Sequence, residues 1–244
     1  MAGIFGTASI AVNINIEILG LVSGHQNLRN GMTSKIALLV ITDGRSDYLE
    51  QTLVSAEENL VGSISTRILV DDSGSKNNSR EGWINVQHDE RRGFCAAINS
   101  GWKTAAATDV DFLFHLEEDF TFNEPIYLES MAAVLTEQPH LAHITLKRQP
   151  VNSTEITNGI MGGFEGSVGC TDGAYTWTEH TNWYSTNPAL VPRRTFERTF
   201  PDSSEVGFGA ELFADGQKVA FWGKSTDQPR VTHIGRHRSD GWKL

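Results

Sequence analysis

Three apolar runs in the first half of the chain each end on acidic residues, and this repeated form constrains the fold more than any other feature of the sequence. KIALLVITDG, residues 35–44, is apolar up to Thr42 and Asp43; TRILV, residues 66–70, runs into Asp71 and Asp72; DFLFHL, residues 111–116, runs into Glu117, Glu118 and Asp119. A continuous apolar stretch bounded by turn residues fits a strand buried on both faces of a parallel sheet. Helical spacing lies between these runs. Ser46 is placed to cap a helix, Asp47 suits its first turn, and Leu49, Leu53, Ala56 and Leu60 recur on one face. After a short strand at WINVQ, residues 83–87, the residues Phe94, Ala97, Ile98, Gly101, Trp102 and Ala105 keep the same helical period. The order strand, helix, strand, strand, helix, strand is an α/β alternation, with a mostly parallel central sheet flanked by helices. In such sheets ligands sit outside the carboxyl ends of the strands, where Asp43, Asp71, Asp72, Glu117 and Asp119 fall.

The rest of the chain is less periodic. Asn123 and Pro125 are expected to open a helix reaching about Gln138. Residues 159–173 hold six glycines and read as a mobile loop. Tyr175, Trp177, Trp183 and Tyr184 follow, then a turn at Asn187 and Pro188, and a helix over 204–214 ended by Asp215 and Gly216. At 244 residues and 39% hydrophobic content, one sizeable α/β domain is expected. Residues 1–34 carry only two charged side chains, Glu17 and Arg29, and read as a dispensable N-terminal extension; Met32 sits just before the domain at 35–244. The run from Ile10 to Val22 is broken by Asn13, Asn15 and Glu17, is too short to span a bilayer, and follows no Lys or Arg of a secretory leader. Cys95 and Cys170 match no metal or disulfide spacing, so a reducing cytoplasm fits best.

Thirty acidic against twenty basic residues, a formal charge of −10, argue against general nucleic-acid binding. A diphosphate remains acceptable, because a metal ion and a few local cations can meet its charge. Glu117 and Asp119, one residue apart at a strand end, suit Mg²⁺ or Mn²⁺, although acidic residues also end strands simply because water is there. Asp71 or Asp72 is able to accept hydrogen bonds from a base or ribose, or to satisfy its own backbone in an Asx turn.

Taken together, KIALLVITDGR, ILVDDSGS, GFCAAINSGW and FLFHLEEDF resemble, in order and spacing, the donor-binding half of the family 2 GT-A glycosyltransferases over residues 35–125. The resemblance implies a GT-A (nucleotide-diphospho-sugar transferase) fold, a nucleotide-diphosphate sugar donor, Mn²⁺ or Mg²⁺, and inversion at the transferred sugar. It places Thr42 and Asp43 against the nucleoside, Asp71 or Asp72 on the base or ribose, and Arg92 beside the nucleotide, with Asn99 as the helix asparagine of the pattern. Glu117 and Asp119 stand where the family has its metal-holding D-x-D motif. The glutamate departs from that pattern, which makes Asp119 the safer direct ligand.

Residues 126–244 resemble the acceptor-binding and catalytic-base half more faintly. In GFGAELFADG the resemblance implies Glu211 as catalytic base, with Glu205 the alternative. In VTHIGRHRSDGWK it implies His233 as a metal ligand, and Arg230, Arg236, Arg238 and Lys243 outnumber Asp240 there, ready to meet a diphosphate. Trp183 and Asn187, with the glycine-rich loop, are expected to shape the site of an acceptor, whether glycan, protein or modified nucleotide. Two rivals stand beside this reading. A nucleotidyltransferase typically has a glycine-rich, basic first loop, whereas TDGRSD has one glycine and one arginine; a catalytically inactive sugar-nucleotide-binding protein fits the substituted Glu117.

Overall fold

The computed structural model describes residues 34–150 and 166–235. Residues 1–33 of the proposed extension, residues 159–165 of the glycine-rich stretch, and Arg236, Arg238, Asp240 and Lys243 lie outside the described residues. In chain order the elements are β1 (Ile36–Thr42), α1 (Ser46–Asn59), β2 (Leu60–Val61), β3 (Ile64–Asp71), β4 (Ile84–Gln87), α2 (Phe94–Ala106), β5 (Phe112–Glu117), β6 (Phe120–Phe122), β7 (Ile126–Tyr127), α3 (Leu128–Glu137) and β8 (Leu141–Thr145). They continue with β9 (Val168–Thr171), β10 (Thr176–His180), β11 (Ala189–Pro192), α4 (Arg193–Phe196), α5 (Ser204–Ala214), β12 (Lys218–Trp222) and β13 (Val231–His233).

Nine strands form one sheet in the order β4-β3-β1-β5-β11-β8-β12-β10-β9. The first four are parallel, and β8 and β12 are parallel to each other, while β11 and β10 run against their neighbours. This is the mixed, mostly parallel α/β sheet expected from the three apolar runs. The register pairs Thr42 with Asp71 and Ile41 with Glu117, so the strand-end acids finish level at one edge.

β1 is buried along its whole length, and its side chains divide between two cores. Ile36, Leu38 and Val40 pack with Leu49 and Ala56 of α1 and Met131 and Leu135 of α3. Ala37, Leu39 and Ile41 face Ala97, Ile98 and Trp102 of α2 and Phe208 and Leu212 of α5. A Cβ on Gly101 would stand 2.7 Å from the Leu39 methyl carbons, so the glycine lets α2 lie close on the central strand.

Three local expectations are corrected. Ser46 is the first helical residue rather than the cap; Arg45 takes the cap position, at φ −81° and ψ 77°, and sends its side chain back over the strand ends. Asn123 and Pro125 do not open a helix. The Asn123 backbone N–H donates to the Arg230 carbonyl and its side-chain amide to the Pro229 carbonyl, Ile126 and Tyr127 pair with Leu60 and Val61, and α3 begins only at Leu128. The glycine-rich stretch is not irregular throughout, because Val168–Thr171 forms the edge strand β9 against β10. Both cysteines are unpaired, and among the described residues no helix is long and apolar enough to cross a membrane.

Candidate functional site

The carboxyl ends of β1 and β5 bring three carboxylate side chains onto Arg45. Its Nε donates to Asp43 Oδ1 (3.0 Å) and Glu118 Oε1 (2.6 Å), and its Nη2 donates to Asp119 Oδ2 (2.9 Å). The Thr42 hydroxyl donates to the other Glu118 oxygen, and that of Thr52 to the Glu118 carbonyl. β13 pairs with β6 so that His233 lies opposite Phe120, and its Nε2 stands 3.2 Å from Asp119 Oδ2. Burial works against ionising Asp119, but His233 and Arg45 outweigh it and hold the carboxyl below its ordinary range. Burial also opposes the charge on Arg45; Asp119, Glu118 and Asp43 together overcome it and raise the guanidinium pKa. Glu118 is pushed up to about 8, by burial first and by the Asp43 carboxyl beside it.

Asp119 is only 5% exposed, and its Oδ1 has no hydrogen-bond partner among the described residues. An unpaired buried carboxylate oxygen is costly, so this atom calls for a cation or a donor. Gly235 passes so close that a Cβ there would come within 2.2 Å of Asp119 Oδ2. One carboxylate oxygen and one imidazole nitrogen suit Mn²⁺, with Mg²⁺ as the harder alternative, when substrate phosphates and water complete the shell. Among the described residues no three His, Cys, Asp or Glu side chains converge as a closed cage.

Asp71 and Asp72 are turned inward. Asp71, 1% exposed, accepts the Ser73 N–H (2.9 Å) at one oxygen and the backbone (3.0 Å) and side-chain (3.2 Å) N–H groups of Asn78 at the other, the Asx-turn geometry weighed for it. Asp72 accepts the N–H groups of Arg92 and Gly93 (both 2.8 Å) and lies 2.6 Å from His88 Nδ1, pinning the start of α2. The Arg92 side chain is exposed, and its neighbour Arg91 is the one that reaches the edge, donating to the Asp43 carbonyl (2.8 Å). Asn99 clasps both the N–H and the carbonyl of Phe200 (2.8 Å each), tying α2 to the segment before α5. Arg230 pairs with Glu124 and Asp227, and so is engaged within the fold.

Glu117 points to the other face of β5. Thr186 Oγ1 lies 2.8 Å from Glu117 Oε1 and 2.8 Å from Glu205 Oε1, and the Thr186 N–H donates to the same Glu205 oxygen (2.6 Å). Burial, then the Asp119 charge, pushes Glu117 up to about 8, with Glu205 adding to the shift. On the same face below it, His115 is buried and its pKa is lowered to about 4 by desolvation alone. Glu205 enters from the first turn of α5, immediately after Ser204 at φ +64°, a left-handed conformation that is strained for a residue other than glycine. Glu211 is exposed, on the outer side of the same helix. Of the two glutamates of α5, Glu205 is the one that meets Thr186 beside the strand ends. Trp183 packs its ring on His180 (centroids 5.1 Å) and Phe221 (5.5 Å), while half-buried Asn187 follows Thr186 directly, its N–H held by Ser185 Oγ (3.1 Å).

Arg45 and Thr186 carry no role in the expectations from sequence. Arg45 had a visible signal, as the lone cation of TDGRSD in a fold with six strand-end acids; Thr186 had none, because its partners lie 69 and 19 residues away.

No family model and no curated protein matches the chain. Solved structures do. The crystal structure of GalNAc-T7 with UDP, GalNAc and Mn²⁺ superposes with a TM-score of 0.57 at 13% identity, covering 88% of this chain and 46% of that one. The fold is of the GT-A type. The S. aureus TarS 1–349 structure in complex with UDP gives a TM-score of 0.53 at 14% identity, covering 81% of this chain and 60% of that one. A second crystal structure of S. aureus TarS 1–349 gives 0.53 and 14%, with 82% of this chain and 60% of that one covered. This chain therefore spans about half to three fifths of the length of the chains it resembles.

Proposed function

We propose that the chain is a metal-dependent glycosyltransferase that moves a sugar, with inversion, from a nucleotide-diphosphate sugar to an acceptor. The observation that carries this reading is the pairing, at one edge of a GT-A-type sheet, of an unsatisfied Asp119 Oδ1 beside His233 with a second carboxylate, Glu205, braced across Thr186. UDP and Mn²⁺ in the GalNAc-T7 structure, and UDP in the TarS structure, support a uridine diphosphate sugar as the first donor to test.

In this reading Asp119 and His233 hold the cation on the donor diphosphate. When bound, the metal neutralises charge that gathers on the departing diphosphate. His233 and Arg45 keep Asp119 ionised, and both meet its Oδ2, so that Oδ1 is the atom presented. Glu205 accepts the proton of the acceptor hydroxyl as that oxygen bonds to the anomeric carbon and the bond to the diphosphate breaks. Trp183 and Asn187 border the acceptor side. Asp71 and Asp72 support the nucleotide pocket by fixing the loop and helix around it, with Thr42 and Asp43 at its floor.

Incubation with a panel of nucleotide sugars and Mn²⁺ tests the proposal. Slow release of nucleoside diphosphate from one donor, as its sugar passes to water or to an added acceptor, is the expected result. Pyrophosphate chemistry would instead mark a nucleotidyltransferase, and binding without turnover an inactive sugar-nucleotide binder.

A further inference from the structure

A carboxylate acts as a general base only when it is held within hydrogen-bond reach of the proton it removes, and small misplacements are expensive in rate. Glu205 lies in the first turn of a helix, where its long side chain has several rotamers open to it. Thr186 restricts them. Its backbone N–H (2.6 Å) and its hydroxyl (2.8 Å) meet the same oxygen, Glu205 Oε1, from two directions. Thr186 is itself 5% exposed, in a segment where the Asn187 N–H is held by Ser185 Oγ and the Asn187 carbonyl lies 3.4 Å from Thr145 Oγ1. The hydroxyl also stands between Glu205 and Glu117, 2.8 Å from each, and so keeps the two acids from direct contact.

Resting on the reading of Glu205 as base, we infer that Thr186 is the positioning residue of the reaction: two donors from one residue fix one oxygen of the base and set the orientation of its carboxylate. The side-chain hydroxyl is the testable half, because the backbone donor survives substitution. Thr186 touches neither donor nor acceptor in this account, and acts through Glu205.

The test uses the full chain, the donor that releases diphosphate in the panel, and four variants. Thr186→Val keeps the shape and removes the hydroxyl. Its kcat is expected to fall about 10- to 100-fold, the scale for losing an oriented hydrogen bond to a charged group, with donor KM within about threefold of wild type. Thr186→Ser is expected to recover kcat to within about threefold. In a Glu205→Gln background the valine substitution should cause no further loss, since its effect passes through the base. If Thr186→Val does not fold, Thr186→Ala against Thr186→Ser makes the same comparison. An unchanged kcat in the hydroxyl-free variant, a loss confined to KM, or a loss that multiplies with Glu205→Gln overturns the role of Thr186 and leaves Glu205 as base untouched. A Glu205→Gln enzyme at wild-type rate, or a panel without turnover, overturns the underlying reading and this inference with it.

Discussion

Glu205→Gln is expected to lower sugar transfer by about 10²- to 10⁴-fold, the usual contribution of a general base, while leaving nucleotide affinity nearly unchanged. The substitution keeps the side chain's shape and removes its basic oxygen. Glu205 stands on the face of α5 that carries Phe208 and Leu212 inward, and it meets Thr186 there, whereas Asp119 is fixed by Arg45 and His233. Glu211→Gln is the matched control, on the same helix but exposed, and its transfer rate should stay within about twofold of wild type, as expected for a surface change remote from the site. Steady-state kinetics with the competent donor decide between them. A Glu211→Gln enzyme that loses transfer while Glu205→Gln keeps it would reverse the assignment.

Arg45→Met is expected to cost stability as well as activity. The guanidinium is the shared partner of Asp43, Glu118 and Asp119, and its side chain is 23% exposed. Removing one partner of a buried ion pair costs about 3–5 kcal/mol, and the partial exposure of Arg45 places it toward the lower end of that range. For a domain of this size, a loss of about 3 kcal/mol lowers Tm by roughly 6–12 °C. Arg45→Lys should recover only part of this, because an ammonium cannot reproduce the fork that spans three carboxylates. Thermal melts of the three proteins check the prediction, and an Arg45→Met chain that melts with wild type would show that the acids hold their places without it.

The strands were legible because their apolar runs are unbroken: Ile36 to Ile41 and Phe112 to Leu116 face the interior on both sides, and no alternation blurs them. Their acidic ends were therefore legible too. Which acids face a ligand was not, because that depends on donors brought in from elsewhere. Ser73 and Asn78 consume Asp71, and the start of α2 consumes Asp72, whereas Asp119 keeps an oxygen unmatched. The difference in setting between Glu205 and Glu211 did have a signal in the helical period. Glu205 stands three, four and seven residues before Phe208, Gly209 and Leu212, the buried residues of α5, and shares their face; Glu211 is off that face. Asn123 misled for a different reason. It sits where a helix start is plausible, but its hydrogen bonds go to the distant segment that carries β13.

The central claim is that Asp119 Oδ1 and His233 receive a cation that arrives with a diphosphate, and calorimetric titration of a nucleoside diphosphate tests it most directly. Titrated in Mn²⁺, the wild-type chain should bind; in chelator, binding should be lost, because an unneutralised diphosphate faces Asp43 and Asp119 with Arg45 already engaged by them. Asp119→Ala in Mn²⁺ should resemble wild type in chelator. Equal affinity with and without the metal, or an Asp119→Ala chain that binds as wild type does, would contradict the account.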